Sequence, residues 1–207
     1  MAYPTVSAPY GLDPINRFDG VAYAGATQQL PIASTYNTAI YNGDIVYVTA
    51  GTIAKSVVTS NVSTAANCAT FGVFTGVQYV NTQGQTVQAQ YYPGNAAATN
   101  AIAYVVMDPV AEFKVAVTYS GNSTVTTTTL AAVGTNAALI QGTGSATTGD
   151  SGVSVAQPAA GAGNAAALPV RIVAVVPETA TSTTAFTEVI VKFNNPQILL
   201  AAGNDFA

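Results

Sequence analysis

Apolar and polar positions alternate with a period of two along much of the chain. Over residues 45–49, Ile45, Tyr47 and Thr49 alternate with Val46 and Val48. Over 70–80, Phe71, Val73, Thr75, Val77 and Tyr79 share one side, with Gly72, Phe74, Gly76 and Gln78 on the other. Over 112–119, Phe113, Val115, Val117 and Tyr119 line up on a single face. A period of two places alternate side chains on opposite faces of a strand, so each stretch predicts a β-strand. Further strands are predicted at 21–24, 29–33, 85–92, 102–107, 168–176 and 187–193, most of them with Gly, Pro, Asn or Asp at one end or both. Asn42-Gly43 between apolar segments predicts a hairpin. Gly72 and Gly76 inside a strand pattern predict a bulge or a close backbone approach.

A helical period occurs once. Leu130, Val133, Ala137 and Ile140 fall on one helical face, and Gly134 and Gly142 limit the predicted helix to about two turns. The first twenty residues read differently. Pro4, Pro9, Gly11 and Pro14 keep this stretch extended, and Tyr3, Tyr10, Leu12, Ile15 and Phe18 give it apolar anchors. It is an arm, tucked against its own domain or laid over a neighbour; the expectation carried forward is that it packs on a neighbouring subunit or on the surface the subunit binds. The pattern divides the chain into an arm at 1–20, a barrel-like β domain at 21–119 and a second β-rich portion at 120–207. The fold class is therefore mainly β, with an extended N-terminal arm and one short helix. No fixed-period repeat is visible.

Composition narrows the functional classes. Among 207 residues, 49% are hydrophobic and only 7% charged, against roughly 25% charged in an ordinary soluble protein. Intrinsic disorder pairs low hydrophobicity with high charge, the reverse of this chain. The longest apolar run, at 101–107, is far short of the roughly 20 residues a membrane helix needs. No positively charged start followed by an apolar stretch marks a signal peptide. Five Lys and Arg against nine Asp and Glu give a net charge of −4. Arg17, Lys55, Lys114, Arg171 and Lys192 are scattered in sequence, so neither the basic stripe needed for nucleic acid nor any other charged patch is expected. A surface of Thr, Ser, Asn and Gln is cheap to desolvate against a neighbour, which suits a subunit of an assembly. Contacts between such surfaces should respond weakly to salt.

Catalytic chemistry is poorly signalled. There is no His and one Cys, so the commonest general base, a disulfide framework and a Cys-rich zinc site are excluded. Residues 144–151 have the glycine spacing of a phosphate loop, but Asp150 stands where the lysine belongs and would repel phosphate. Asp108 and Glu112 flank a turn, and the sequence signals no facing carboxylate pair of the kind glycoside hydrolysis requires. Cys68 reads as a small inert thiol. Asn61 and Asn122 head formal glycosylation sequons with no export signal beside them. Arg171 interrupts an apolar strand, either as an ordinary outward residue or as half of an inter-subunit ion pair with Glu178 or Glu188. No catalytic residue, cofactor or metal ligand is expected.

Several segments together resemble structural proteins of tailed phages, marine and cyanobacterial ones especially. These are the opening Met1-Ala2-Tyr3-Pro4-Thr5-Val6 with Ala8-Pro9-Tyr10-Gly11-Leu12-Asp13-Pro14, Leu30-Pro31-Ile32-Ala33-Ser34, Gly43-Asp44-Ile45-Val46 and Phe71-Gly72-Val73-Phe74-Thr75-Gly76. Ala103-Tyr104-Val105-Val106-Met107-Asp108-Pro109 with Phe113, the glycine-rich 142–149, and Leu168-Pro169-Val170-Arg171-Ile172 with Val191-Lys192-Phe193-Asn194-Asn195 complete the set. The resemblance is to capsid decoration, or cement, proteins, and the stretch from Gly43 to Phe74 is similar to the β-tulip of lambda-type head decoration proteins. It implies a homotrimer bound to the major capsid protein on the outer surface of the virion. It implies no cofactor, nucleic acid or membrane partner. On this reading Tyr3, Tyr10, Leu12, Ile15, Phe18, Gly72, Gly76 and Arg171 are the candidate interface residues. A tail or fibre component and an exported adhesion protein are the alternatives.

Overall fold

The computed structural model describes residues 6–56, 72–118, 128–157, 168–180 and 186–194. These residues are mainly β, arranged as two sheets. The first contains β1 (Asp13–Arg17), β8 (Ala111–Thr118), β9 (Asn136–Ala137), β10 (Leu139–Ile140), β11 (Ser154–Ala156), β12 (Val170–Val175) and β13 (Glu188–Phe193). The second contains β2 (Gln28–Pro31), β3 (Ile45–Thr49), β4 (Thr52–Lys55), β5 (Gly72–Asn81), β6 (Thr86–Ala89) and β7 (Ala98–Val106).

The first sheet closes on itself. Its order is β10-β11-β8-β13-β12-β9, and β9 and β10 are separated only by Ala138. One short extended segment therefore pairs with β12 through 136–137 and with β11 through 139–140, completing a small barrel. Its interior follows the period of two: Phe113, Val115 and Val117 from β8, Val189, Val191 and Phe193 from β13, and Val170 and Ile172 from β12 are all buried in one cluster. Val and Phe suit this role because branched and aromatic side chains fill a pleated surface. The second sheet runs β2-β7-β5-β3-β4, with β6 on β5. It curls until its edges meet at an Ile32–Ile53 bridge and packs Ile40, Phe74, Val77 and Tyr92 inside.

β5 serves both cores. Val73 packs with the barrel, Phe74 and Val77 with the second sheet. The expected uniform alternation over 70–80 breaks at a register shift between Phe74 and Gly76, the bulge that the glycines suggested. A Cβ on Gly72 would come within 2.3 Å of the Val106 carbonyl oxygen. The close approach that this glycine allows is thus to the neighbouring strand of its own sheet.

Three local expectations need correction. The predicted helix over 130–140 is a single 3-10 turn, Leu130–Ala132, followed by β9 and β10. Gly134 has φ +84°, which ends the turn, and Ala137, Leu139 and Ile140 are buried by strand pairing instead. Asn42-Gly43 does form a tight turn, with the Asp44 N–H bonded to the Tyr41 carbonyl at 3.0 Å. It does not join paired strands: Ile40 bridges to Tyr92, and Ile45 pairs with Val73. The adjacent hairpin joins β3 to β4 through Ala50 and Gly51, both with positive φ. Finally, the arm is in part a strand of its own chain. β1 pairs antiparallel with β8, Asp13 opposite Lys114 and Arg17 opposite Ala111.

Candidate functional site

The arm residues divide sharply once β1 is in place. Leu12 is 1% exposed and belongs to the barrel core. Ile15 is half-buried, while Phe18 at the end of β1 is 56% exposed. Tyr3 lies outside the described residues, as do Phe71, Cys68, Tyr119 and both sequon asparagines. Gly72 and Gly76 are buried within the second sheet. Arg171 is exposed and donates from Nε to Asn136 Oδ1 at 3.2 Å.

The most buried charge is one that sequence reading passed over. Asp44 has no solvent exposure. One carboxylate oxygen accepts from the Tyr41 N–H at 2.8 Å and pairs with Lys55 Nζ at 2.7 Å. The other accepts from Ser151 Oγ at 2.6 Å and from Gln141 Nε2 at 3.4 Å. Tyr41 and Lys55 come from the second sheet, Gln141 and Ser151 from the link between β10 and β11 of the barrel. The group is a polar rivet between the two sheets. Its neighbours Gly11 and Gly43 make it possible: both have positive φ, and a Cβ on either would come within 3 Å of the other's backbone. That contact lets the Leu12 N–H reach the Gly43 carbonyl at 3.1 Å. An aspartate after Asn-Gly in an apolar run was the only sequence signal.

A second polar group lines an open cleft of about 370 Å³ bounded by Tyr10, Leu12, Asp13, Asn42, Lys114, Asp150 and Glu188. Tyr10 donates its hydroxyl hydrogen to Glu188 Oε1 at 2.5 Å across 178 positions of sequence. Lys114 Nζ stands 3.4 Å from the same oxygen and 5.7 Å from the centre of the Tyr10 ring. Burial first, and the adjacent Glu188 second, push the Tyr10 phenol well above its ordinary value. It therefore stays a hydrogen-bond donor rather than becoming a phenolate nucleophile. Partial burial also pushes the Asp13 carboxyl up against the pull of Lys114; the residue as a whole is exposed, so water limits the effect. Within the chain, Glu188 is held by Tyr10 and Lys114 rather than by Arg171.

The carboxylates singled out earlier serve local structure. Asp108 accepts from the Val110 N–H at 3.0 Å and pairs with Arg17 Nε at 3.2 Å. Asp19 pairs with Arg17 and caps the Val21 N–H. Glu112 lies on β8, opposite Asn16 rather than facing Asp108 across a cleft. The glycine-rich 144–151 segment is a turn, with the Gly149 N–H on the Ser145 carbonyl at 2.7 Å. Gly144 lies against the Tyr41 ring, which stacks on Tyr91 at 5.5 Å, and Asp150 accepts from Gln90 Nε2 at 2.8 Å. Among the described residues, no three His, Cys, Asp or Glu side chains are placed to share a metal ion.

The cations are not scattered in space. Arg17, Lys114, Arg171 and Lys192 all lie on strands of the first sheet; only Lys55 is elsewhere. Arg171 and Lys192 are directly opposite each other on β12 and β13. Arg17, Lys55 and Lys114 each have a carboxylate partner, so among the described residues the one local group of like charge is this pair. No protein-family model, no curated protein and no solved structure matches the chain.

Proposed function

We propose that this chain is a non-catalytic structural subunit of a phage head, a decoration or cement protein. It binds the outer surface of the shell formed by the major capsid protein and associates with itself, as a homotrimer. The observation that carries this reading is how the chain uses its few charges. With only five cations and nine anions in 207 residues, most of the described ionic side chains join strands, sheets and turns of the chain itself. Most of what is left for contact is uncharged β surface in which Thr, Ser, Asn and Gln supply the polar groups, suited to extensive short-range complementarity, with a few unpaired charges among them. The segment resemblance to decoration proteins points the same way.

The stabilising mechanism is linkage. A subunit that binds the expanded shell and not its broken state stabilises the shell at each site, by about 2.7 kcal/mol when free subunit is at 100 times Kd. Many sites multiply that term against internal genome pressure. The test is add-back. Heads lacking the subunit are incubated with purified protein, and occupancy and the temperature of genome release are measured. Saturable occupancy with a raised release temperature is expected. Absence of binding to expanded heads, or binding with unchanged release temperature, refutes the reading.

A further inference from the structure

The outer face of the barrel carries a like-charge pair, neither member of which is in a salt bridge among the described residues. Val170, Ile172, Val191, Phe193 and Phe113 point into the barrel core. The pleat therefore turns Arg171 and Lys192 outward, side by side across β12 and β13. Like charges directly opposite on paired strands destabilise a sheet. Among the described residues, no carboxylate lies within 4.0 Å of either. Lys192 instead places its ammonium 4.4 Å from the centre of the Phe18 ring, a ring that is 56% exposed. Glu112 is next in register, since Phe113 faces Val191, but it forms no ion pair with Lys192. Two adjacent cations, Lys192 over an exposed aromatic and Arg171 with its Nε on Asn136, form a receptor for a carboxylate supplied from outside the chain.

The same barrel carries a matching group at its other end. Glu178 lies in the turn after β12, exposed and without a bonded partner among the described residues. It does not pair with Arg171 of its own chain: the four strand steps from Arg171 to Val175 alone rise about 13 Å before the turn that carries Glu178. Of the other described acids, Asp13 lies opposite Lys114 in the Tyr10 cleft, Asp150 accepts from Gln90, and Glu112 stands beside Lys192 itself. Asp19 and Asp108 pair with Arg17, and Asp44 with Lys55. Glu188 pairs with Lys114. Receptor and ligand at opposite ends of one strand define a head-to-tail contact, which closes into a ring when the rotation between copies permits. We propose that Glu178 of one copy docks on Arg171 and Lys192 of the next, with Phe18 covered by the contact. The proposal rests on the reading of the chain as a self-associating subunit and names the surface that does it. A polyanion such as nucleic acid fits this surface less well, because Glu112 and Asp19 stand beside it and the chain is net negative.

The test is charge exchange in the full chain, read by light scattering without heads present. Wild type is expected to be a homo-oligomer. Arg171→Glu and Glu178→Arg should each weaken association about tenfold or more, with unchanged circular dichroism and no fall in melting temperature. The double variant should recover most of the loss, since the reversed pair can form again. Four results overturn the proposal: a wild type that is a monodisperse monomer, folded single variants that associate normally, a folded double variant that does not recover, or a DNA oligonucleotide that binds wild type and not Arg171→Glu while association is unchanged. Dissociation by Asp205→Asn but not by Glu178→Arg also overturns it, in favour of a carboxylate from the chain's own C-terminal segment. Occupancy on heads is a separate readout, so loss of this contact and loss of head binding are told apart.

Discussion

Lys55→Met should be among the most damaging single changes, although Lys55 looks like an ordinary strand-end lysine. Its side chain is 14% exposed, and its ammonium lies 2.7 Å from a carboxylate with no exposure at all. Methionine keeps most of the stem volume and removes the charge, leaving Asp44 as a buried anion without its cation. Breaking a buried pair in this way costs about 3–5 kcal/mol. Asp44 keeps strong hydrogen bonds from the Tyr41 N–H and Ser151 Oγ, so the lower end applies, about 3 kcal/mol. In a chain of this size that is a fall of about 6–12 °C in melting temperature. Urea unfolding of wild type, Lys55→Met, Asp44→Asn and the double variant measures the pair directly. The double variant should be more stable than Lys55→Met, because the uncompensated charge is gone. A Lys55→Met variant within about 0.5 kcal/mol of wild type, or a double variant no better than Lys55→Met, refutes the assignment of Asp44 as a charge-dependent rivet.

Other outcomes follow from particular positions. Gly43→Ala should cost about 2–5 kcal/mol, combining a strained positive φ with a Cβ driven into the backbone of Gly11 and Leu12. Gly84→Ala has the same sign of φ but open space around it, so its cost in the same denaturation assay should be only about 1 kcal/mol. The Tyr10 phenol is raised in the folded state, so the native protein holds its proton longer than the unfolded chain. Stability should be unaffected by this group below pH about 10 and should fall as pH rises beyond it. Tyr10→Phe should flatten that alkaline fall, and phenolate absorbance should show one tyrosine titrating only as the protein unfolds.

Much of the β architecture was legible in the chain because strand faces are set by local chemistry. The alternation Phe113, Val115, Val117 can be satisfied in only one way when one face meets a core. β3, β8, β12 and β13 accordingly fall within a residue or two of their expected positions. Local pattern failed where long-range pairing competed with it. Leu130, Val133, Ala137 and Ile140 have helical spacing, yet the ends of β11 and β12 needed partners, and 136–140 closes the barrel between them. Asn42-Gly43 supplied a turn, but which strands flank a turn is decided by the partners that Ile40 and Ile45 find.

Charge shows the division most clearly. Sequence determined how few ionic groups there are and that none is a histidine, which limits the chemistry open to the chain. Their meeting was decided only in three dimensions. Tyr10 reaches Glu188 because the arm pairs with β8, which itself pairs with β13. Asp44 meets Ser151 across 107 positions because Gly11 and Gly43 let the backbones touch. Arg171 faces Lys192 through a strand register that no local preference encodes. A side chain's type and its face on a strand are properties of a few neighbouring residues; its partner is a property of how distant strands close a barrel.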